Sequence, residues 1–332
     1  MDSIYNSISS PLNQRSIADE WSVIQDESQI RARLKSQLEY AMHQMRDEPS
    51  KPFQYHSAPK YWDMQEEMVG QYKVGISHAQ GRRPTMEDEH LAISFDLTIG
   101  NRTYPIELFG IFDGHGGRDV ARYARDHLQE YIQRFLTGCN AQGLSDVGVW
   151  QALKLATVHL NSELGHLAQS QGTTATIAMI LDEKLWTANV GDSRIVLDNH
   201  GTPMQLTEDA KPGDVRYQRG IEKRGGFVQN ISGVPRVNGC LGVARAIGDH
   251  GVGNGISSRA KVTMKPLNEI HPNHQFILCC DGVFDVARTE DIVSAVHEHK
   301  NLTVGNLARN ITYSAYQAGS TDNLSCLVIR KI

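Results

Sequence analysis

Apolar positions change their spacing near residue 70. Between about Ser16 and Arg46 they recur at helical intervals. Ile17, Trp21 and Ile24 form one stripe, and Ile30, Leu34, Leu38, Met42 and Met45 form a longer one. Pro49 and Pro52 stop that pattern. Residues 1–12 ahead of it are polar and read as a loose end. Two readings of the amphipathic stretch stay open: an appendage packed on the main body, or a regulatory or docking segment.

From about Tyr72 the pattern turns to short apolar runs and amphipathic stretches. Tyr72–Ser77, Leu91–Phe95, Tyr104–Phe112, Thr174–Leu181, Leu185–Val190, Arg194–Leu197, Gln275–Cys280 and Leu324–Arg330 are predicted strands. Asp119–Phe135, about Val149–Leu167, 289–300 and 304–318 are predicted helices, with Thr289 as an N-cap and Gly319 as a C-terminal stop. Gaps as short as Asp182-Glu183-Lys184 join strands most simply as antiparallel neighbours. Strand groups alternating with helix pairs predict an α+β domain, antiparallel sheets with helices on the outer faces. The chain is therefore expected to divide into an N-terminal extension, 1–68, and a main domain, 69–332. Gly251-Val252-Gly253-Asn254-Gly255 lacks the strand and helix of a dinucleotide fingerprint and reads as a loop.

Composition narrows the partners. Of a formal net charge of -5, residues 1–70 supply -4, eleven acidic against seven basic side chains. No basic stripe offers a surface to nucleic acid. Five cysteines without C-x-x-C spacing argue for a reduced compartment and against zinc. No apolar run reaches the ~18–20 residues of a membrane span. A cytoplasmic monomer is the expectation.

Candidate chemistry lies at strand ends. Phe109–Phe112 delivers Asp113-Gly114-His115-Gly116-Gly117, and Phe276–Cys280 delivers Asp281-Gly282, with Asp285 close behind. Asp322 precedes the last strand, Asp192 follows Val190-Gly191, and Glu87-Asp88 precede Leu91. One such aspartate is ordinarily a turn residue. Five glycine-flanked or strand-edge acidic sites that converged could not bear their mutual repulsion without cations. All-oxygen ligands favour Mg²⁺ or Mn²⁺, and two such ions can activate water and clamp a phosphoryl group. Arg82 or Arg83 could hold phosphate, and His115 could protonate a leaving alkoxide.

These segments resemble a known family. Gly81-Arg82-Arg83-Pro84-Thr85-Met86-Glu87-Asp88, Phe112–Gly117, Gly172-Thr173-Thr174-Ala175 and Ala188–Arg194 are similar, in order, to signatures of type 2C protein phosphatases. So are Leu206–Pro212, Gly225–Val228, Arg236–Gly239, Leu241–Asp249, Cys280–Val286 and Gly319–Asn323. The resemblance spans roughly residues 70–332. It implies a sandwich of two antiparallel β-sheets with α-helices on both outer faces. The implied activity is hydrolysis of phosphoserine and phosphothreonine in proteins, with two Mn²⁺ or Mg²⁺ ions. Asp113 would bridge the metals, the Gly114 carbonyl would serve one, and Asp281 and Asp322 would complete the other's protein ligands. Glu87 and Asp88 would act through bound waters. Arg83 would hold phosphate, in preference to Arg82, and His115 would be the general acid. Asp192, Asp281 and Asp285 would form a third, weaker metal site. Ala210 and Gly220 depart from the pattern, where histidine and arginine are common, in a region the family uses as a flap. Two alternatives stay open: a pseudophosphatase that binds phosphoproteins, and a phosphatase of small phosphomonoesters.

Overall fold

Most of the central strands are apolar on both faces, and their alternation divides the apolar residues between three layers of core. In the segment 102–112, Tyr104, Ile106 and Leu108 face one way, while Phe109 and Ile111 face the other. In the segment 275–279, Ile277 and Cys279 pack opposite to Phe276 and Leu278. Such two-faced strands need cover on each side, and a helix–sheet–sheet–helix stack supplies it.

A computed structural model describes residues 62–332 together with residues 32 and 35–39. The first sheet runs in the order β1 (Trp62–Val69), β2 (Tyr72–Ala79), β16 (Leu324–Lys331), β15 (Gln275–Cys279), β9 (Arg194–Asn199) and β10 (Thr202–Gln205). The second runs β14 (Lys261–Pro266), β8 (Lys184–Val190), β7 (Ala175–Leu181), β4 (Arg102–Phe112) and β3 (Glu89–Ile99). Every pairing in both is antiparallel, as the short connections predicted. Between the sheets lie Tyr72, Ile76, Phe109, Ile180, Leu197, Phe276 and Leu327.

Helices α1 (Asp119–Cys139) and α2 (Asp146–Ser162) cover the second sheet, burying Leu128, Ile132 and Leu153 against it. A shorter α3 (Val215–Lys223) lies outside the stack, beside a hairpin of β11 (Val228–Ile231) and β12 (Val234–Val237). After β15 come α4 (Asp281–Phe284), α5 (Thr289–Glu298) and α6 (Val304–Ala318), the last two covering the first sheet. Three two-residue strands, β13 (Ile247–Gly248), β6 (Gly172–Thr173) and β5 (Gly114–His115), make a separate small sheet.

Several expectations shift. β1 begins at Trp62, so the sheet starts ahead of the expected boundary at 68/69; the Trp62 ring stacks on Tyr313 of α6 at 5.4 Å. The helix expected over 16–46 falls mostly outside the described residues. Residues 35–39 of it are helical, and Leu38 is buried among the residues that α5 and α6 press on the sheet. Thr289 is the first residue of α5 and not its cap. Its hydroxyl accepts from Arg194 Nη1 at 3.0 Å, and Arg288 takes the cap position. Gly319 closes α6 in the left-handed region, as expected.

Candidate functional site

The sheet registers bring the acidic residues to one end of the sandwich. β4 ends at Phe112, which pairs with Glu89 at the start of β3, so Asp113 and Asp88 are neighbours. β15 ends at Cys279 opposite Cys326 of β16, so Asp281 comes beside Asp322. Asp192 lies in the turn between β8 and β9 at the same edge. Because the strands are antiparallel, the ends of β4 and β15 coincide with the starts of β3 and β16. A cleft of about 660 Å³ opens there, lined among others by Arg83, Glu87, Asp113, Gly114, His115, Asp192, Asp281, Asp285 and Asp322. Every site residue expected from the sequence lines this cleft except Asp88, which is buried beneath it.

The electrostatics fit a cation site. Burial first, then repulsion from Asp88, Asp281, Asp192 and Asp322, holds Asp113 well above the usual carboxylate range. Burial and then the carboxylates of Asp192 and Asp285 lift Asp281 in the same way. Asp88 is pushed up to about 7, mainly by burial. Asp88 Oδ1 and Asp192 Oδ1 are buried with no hydrogen-bond partner. Buried polar atoms are normally satisfied, so these two oxygens suit cations or their bound waters. Among the described residues no three side chains form a complete metal-ligand group. Cationic side chains hold two of the carboxylates: Arg83 Nη2 lies 2.6 Å from Asp322 Oδ2, and Lys211 Nζ pairs with Asp192 Oδ2. The donors in the cleft are all oxygens, which suits a hard divalent cation, and Arg83 and Lys211 stand beside them as counter-charges.

The two candidate arginines separate cleanly. Arg82 donates to the carbonyls of Tyr316 and Ser320 at the end of α6 and lies over the Tyr316 ring at 4.3 Å. That leaves Arg83 in the cleft. Gly114 has no room for a side chain, since a Cβ there would stand 2.3 Å from the Glu87 carbonyl oxygen. The β4 end and the Glu87 loop can thus meet closely.

Residues that the sequence reading passed over hold the site in shape. Asn323 accepts from the Glu87 amide at 2.9 Å and donates to the carbonyls of Gln80 and Thr85, both at 2.8 Å. The Asp113 amide donates to Thr174 Oγ1 at 3.1 Å, and Ser325 Oγ donates to Asp88 Oδ2 at 2.5 Å. Lys211 and Asn323 sit inside segments already singled out, so their polar side chains were the available signal. The two departures resolve differently. Ala210 is buried with Tyr217, Ile221, Val237 and Ala244 in a small core under the β11–β12 hairpin, and its neighbour Lys211 lines the cleft. At Gly220 the guanidinium of Arg224 fills the nearby space, its Nη1 3.3 Å from where a Cβ would lie.

Comparison with known proteins agrees with this geometry. The family described as "Protein phosphatase 2C" matches residues 72–324. "Probable protein phosphatase 2C 45" of Oryza sativa subsp. japonica is 32% identical over 269 residues, covering 79% of this chain and 88% of that protein. "Probable protein phosphatase 2C 52" of the same plant is also 32% identical, over 265 residues, but there the chain spans about half of the relative, 51%. A solved structure described as that of a C. elegans sex determining protein superposes with a TM-score of 0.67 at 27% identity, covering 80% of this chain and 66% of that one. The order of motifs, the two-sheet stack and the acidic cleft at its end are thus those of one family, and the chain belongs to the protein phosphatase 2C family, metal-dependent phosphatases of serine and threonine.

Proposed function

We propose that this chain hydrolyses phosphoserine and phosphothreonine in proteins, using divalent cations, Mn²⁺ or Mg²⁺. The observation that carries the reading is the convergence of Asp113, Asp281 and Asp322 from both sheets on one cleft beside Arg83 and His115. Asp113, the Gly114 carbonyl, Asp281 and Asp322 would hold two ions, and Glu87 and Asp88 would order their waters. Bound there, the cations would lower the pKa of a water nucleophile and offset charge on the phosphoryl oxygens.

The side chains have separate tasks. Arg83 exchanges Asp322 for two phosphoryl oxygens, a geometry that its planar fork suits. His115 gives a proton to the seryl or threonyl oxygen as the P–O bond to that oxygen breaks. The water oxygen forms the new bond to phosphorus, and the products are the free hydroxyl and inorganic phosphate. Lys211 supplies positive charge at the corner formed by Asp192, Asp281 and Asp285. A third cation there would share that corner with its ammonium.

The test is phosphate release from a phosphoserine peptide with Mn²⁺ or Mg²⁺, wild type against Asp113→Asn. Loss of this carboxylate should lower turnover at least ~100-fold, comparable to losing one preorganised charge-stabilising group. Equal rates for the two proteins would refute the reading. Peptide capture without release would instead indicate a binding protein, and preference for small phosphomonoesters a different substrate class.

A further inference from the structure

His115 does not stand alone in the cleft wall. Its Nε2–H donates to both carboxylate oxygens of Asp249, at 2.9 Å to Oδ1 and 2.7 Å to Oδ2. Asp249 is buried, with its side chain 5% exposed, while the His115 ring is 31% exposed. A buried carboxylate needs a partner. Among the described residues His115 is the one ion-pair partner that Asp249 has.

The small three-stranded sheet builds this pair. His115 of β5 lies opposite Gly172 of β6, and Gly172 lies opposite Gly248 of β13, the residue before Asp249. Asp249 then adopts φ +58, in the left-handed region, and its amide donates to the Gln171 carbonyl at 3.0 Å. A non-glycine residue in that region is uncommon, although aspartate and asparagine tolerate it best. Gly172 is the spacer between the two side chains. A Cβ on it would stand 2.1 Å from Asp249 Oδ2 and 2.5 Å from His115 Nε2. The three short strands and the bare backbone position at Gly172 thus bring the two side chains together.

We infer that Asp249 is the positioning residue for His115: it fixes the ring by Nε2 and leaves Nδ1 as the nitrogen that meets the leaving oxygen. A histidine with one ring nitrogen committed to a carboxylate has a defined tautomer and orientation. The acting ring is the imidazolium, protonated at both nitrogens. Its Nδ1 proton goes to the seryl or threonyl oxygen as the P–O bond breaks, the ring is left neutral with Nε2–H still bonded to Asp249, and Asp249 itself neither gives up nor takes a proton. The inference rests on the phosphatase reading and adds which atom acts and what aims it.

The experiment uses the Mn²⁺-loaded chain and two substrates that differ in their need for an acid. A seryl oxygen must be protonated to leave; p-nitrophenolate leaves as an anion. Asp249→Asn keeps the left-handed backbone and the side-chain shape. It should lower kcat on a phosphoserine peptide about 10- to 100-fold, below the roughly 10²–10⁴ that a positioned acid supplies in full. KM should move by less than about twofold and p-nitrophenyl phosphate turnover by less than about threefold, because the loss falls on leaving-group protonation alone. Gly172→Ala, whose backbone angles suit alanine, should wedge the pair apart and give the same selective loss. Long-range ¹H–¹⁵N correlation should show the His115 ring protonated at Nε2 in the wild type and that preference lost in Asp249→Asn. A proportionate fall on both substrates in Asp249→Asn, or no fall on either, overturns the inference. Wild-type protein inactive on both substrates overturns the phosphatase reading itself.

Discussion

Asp88→Asn should stabilise the metal-free protein at neutral pH while weakening its metal binding. Asp88 is 2% exposed and its carboxyl is held at about 7, against 3.8 when unperturbed, chiefly by burial. Because the folded value lies above the unfolded one, the wild-type carboxyl stabilises the fold below pH ~4, where it is protonated in both states. That contribution is lost as pH rises toward 7, at about 1.4 kcal/mol per pH unit. The total approaches about 4 kcal/mol, an upper figure because neighbouring carboxylates titrate together. Asparagine is neutral throughout and escapes the penalty. Urea unfolding in chelator should therefore find the variant close to wild type near pH 4 and more stable by roughly 2–4 kcal/mol at pH 7.5. Comparing the two proteins at each pH cancels the buried histidines, which titrate in both. Adding Mn²⁺ should reverse the order, since a ligand at ~100 times its Kd adds ~2.7 kcal/mol to the protein that binds it. A variant no more stable than wild type at pH 7.5 in chelator would refute the claim that burial strains this carboxyl.

Three further outcomes follow from other parts of the fold. Arg83→Ala should lower kcat/KM on a phosphopeptide by about 10- to 100-fold, the worth of a charge-assisted contact, with the loss mainly in KM. Phe109→Ala removes a fully buried ring set edge-on to Tyr72 at 5.9 Å between the sheets, and should cost about 3–5 kcal/mol by urea titration. A chain starting at Trp62 keeps the whole of β1. Starting at residue 70 removes β1 and the buried Val69, and should cost at least ~2 kcal/mol.

The sequence by itself determined the element types, the antiparallel character and the chemistry of the site. Apolar runs on both strand faces forced a layered stack, and gaps of three residues left little choice but adjacent antiparallel pairing. The motifs named Asp113, Asp281, Asp322, Glu87 and Arg83 because each stands at a strand end or glycine turn, where local signals are strong. What tertiary structure decided is contact between distant segments. The separation of Arg82 from Arg83 depends on where α6 ends, since its last carbonyls claim one guanidinium. β1 escaped notice because its edge position buries little; of its eight residues only Val69 is buried. Thr289 stands one residue inside α5, and its hydroxyl accepts from Arg194, far off in sequence. The partner of His115 lies 134 residues away and is joined to it through three two-residue strands, too short for any periodicity to register. Local pattern reports which residues can do chemistry, and only the pairing of strand ends reports which of them meet.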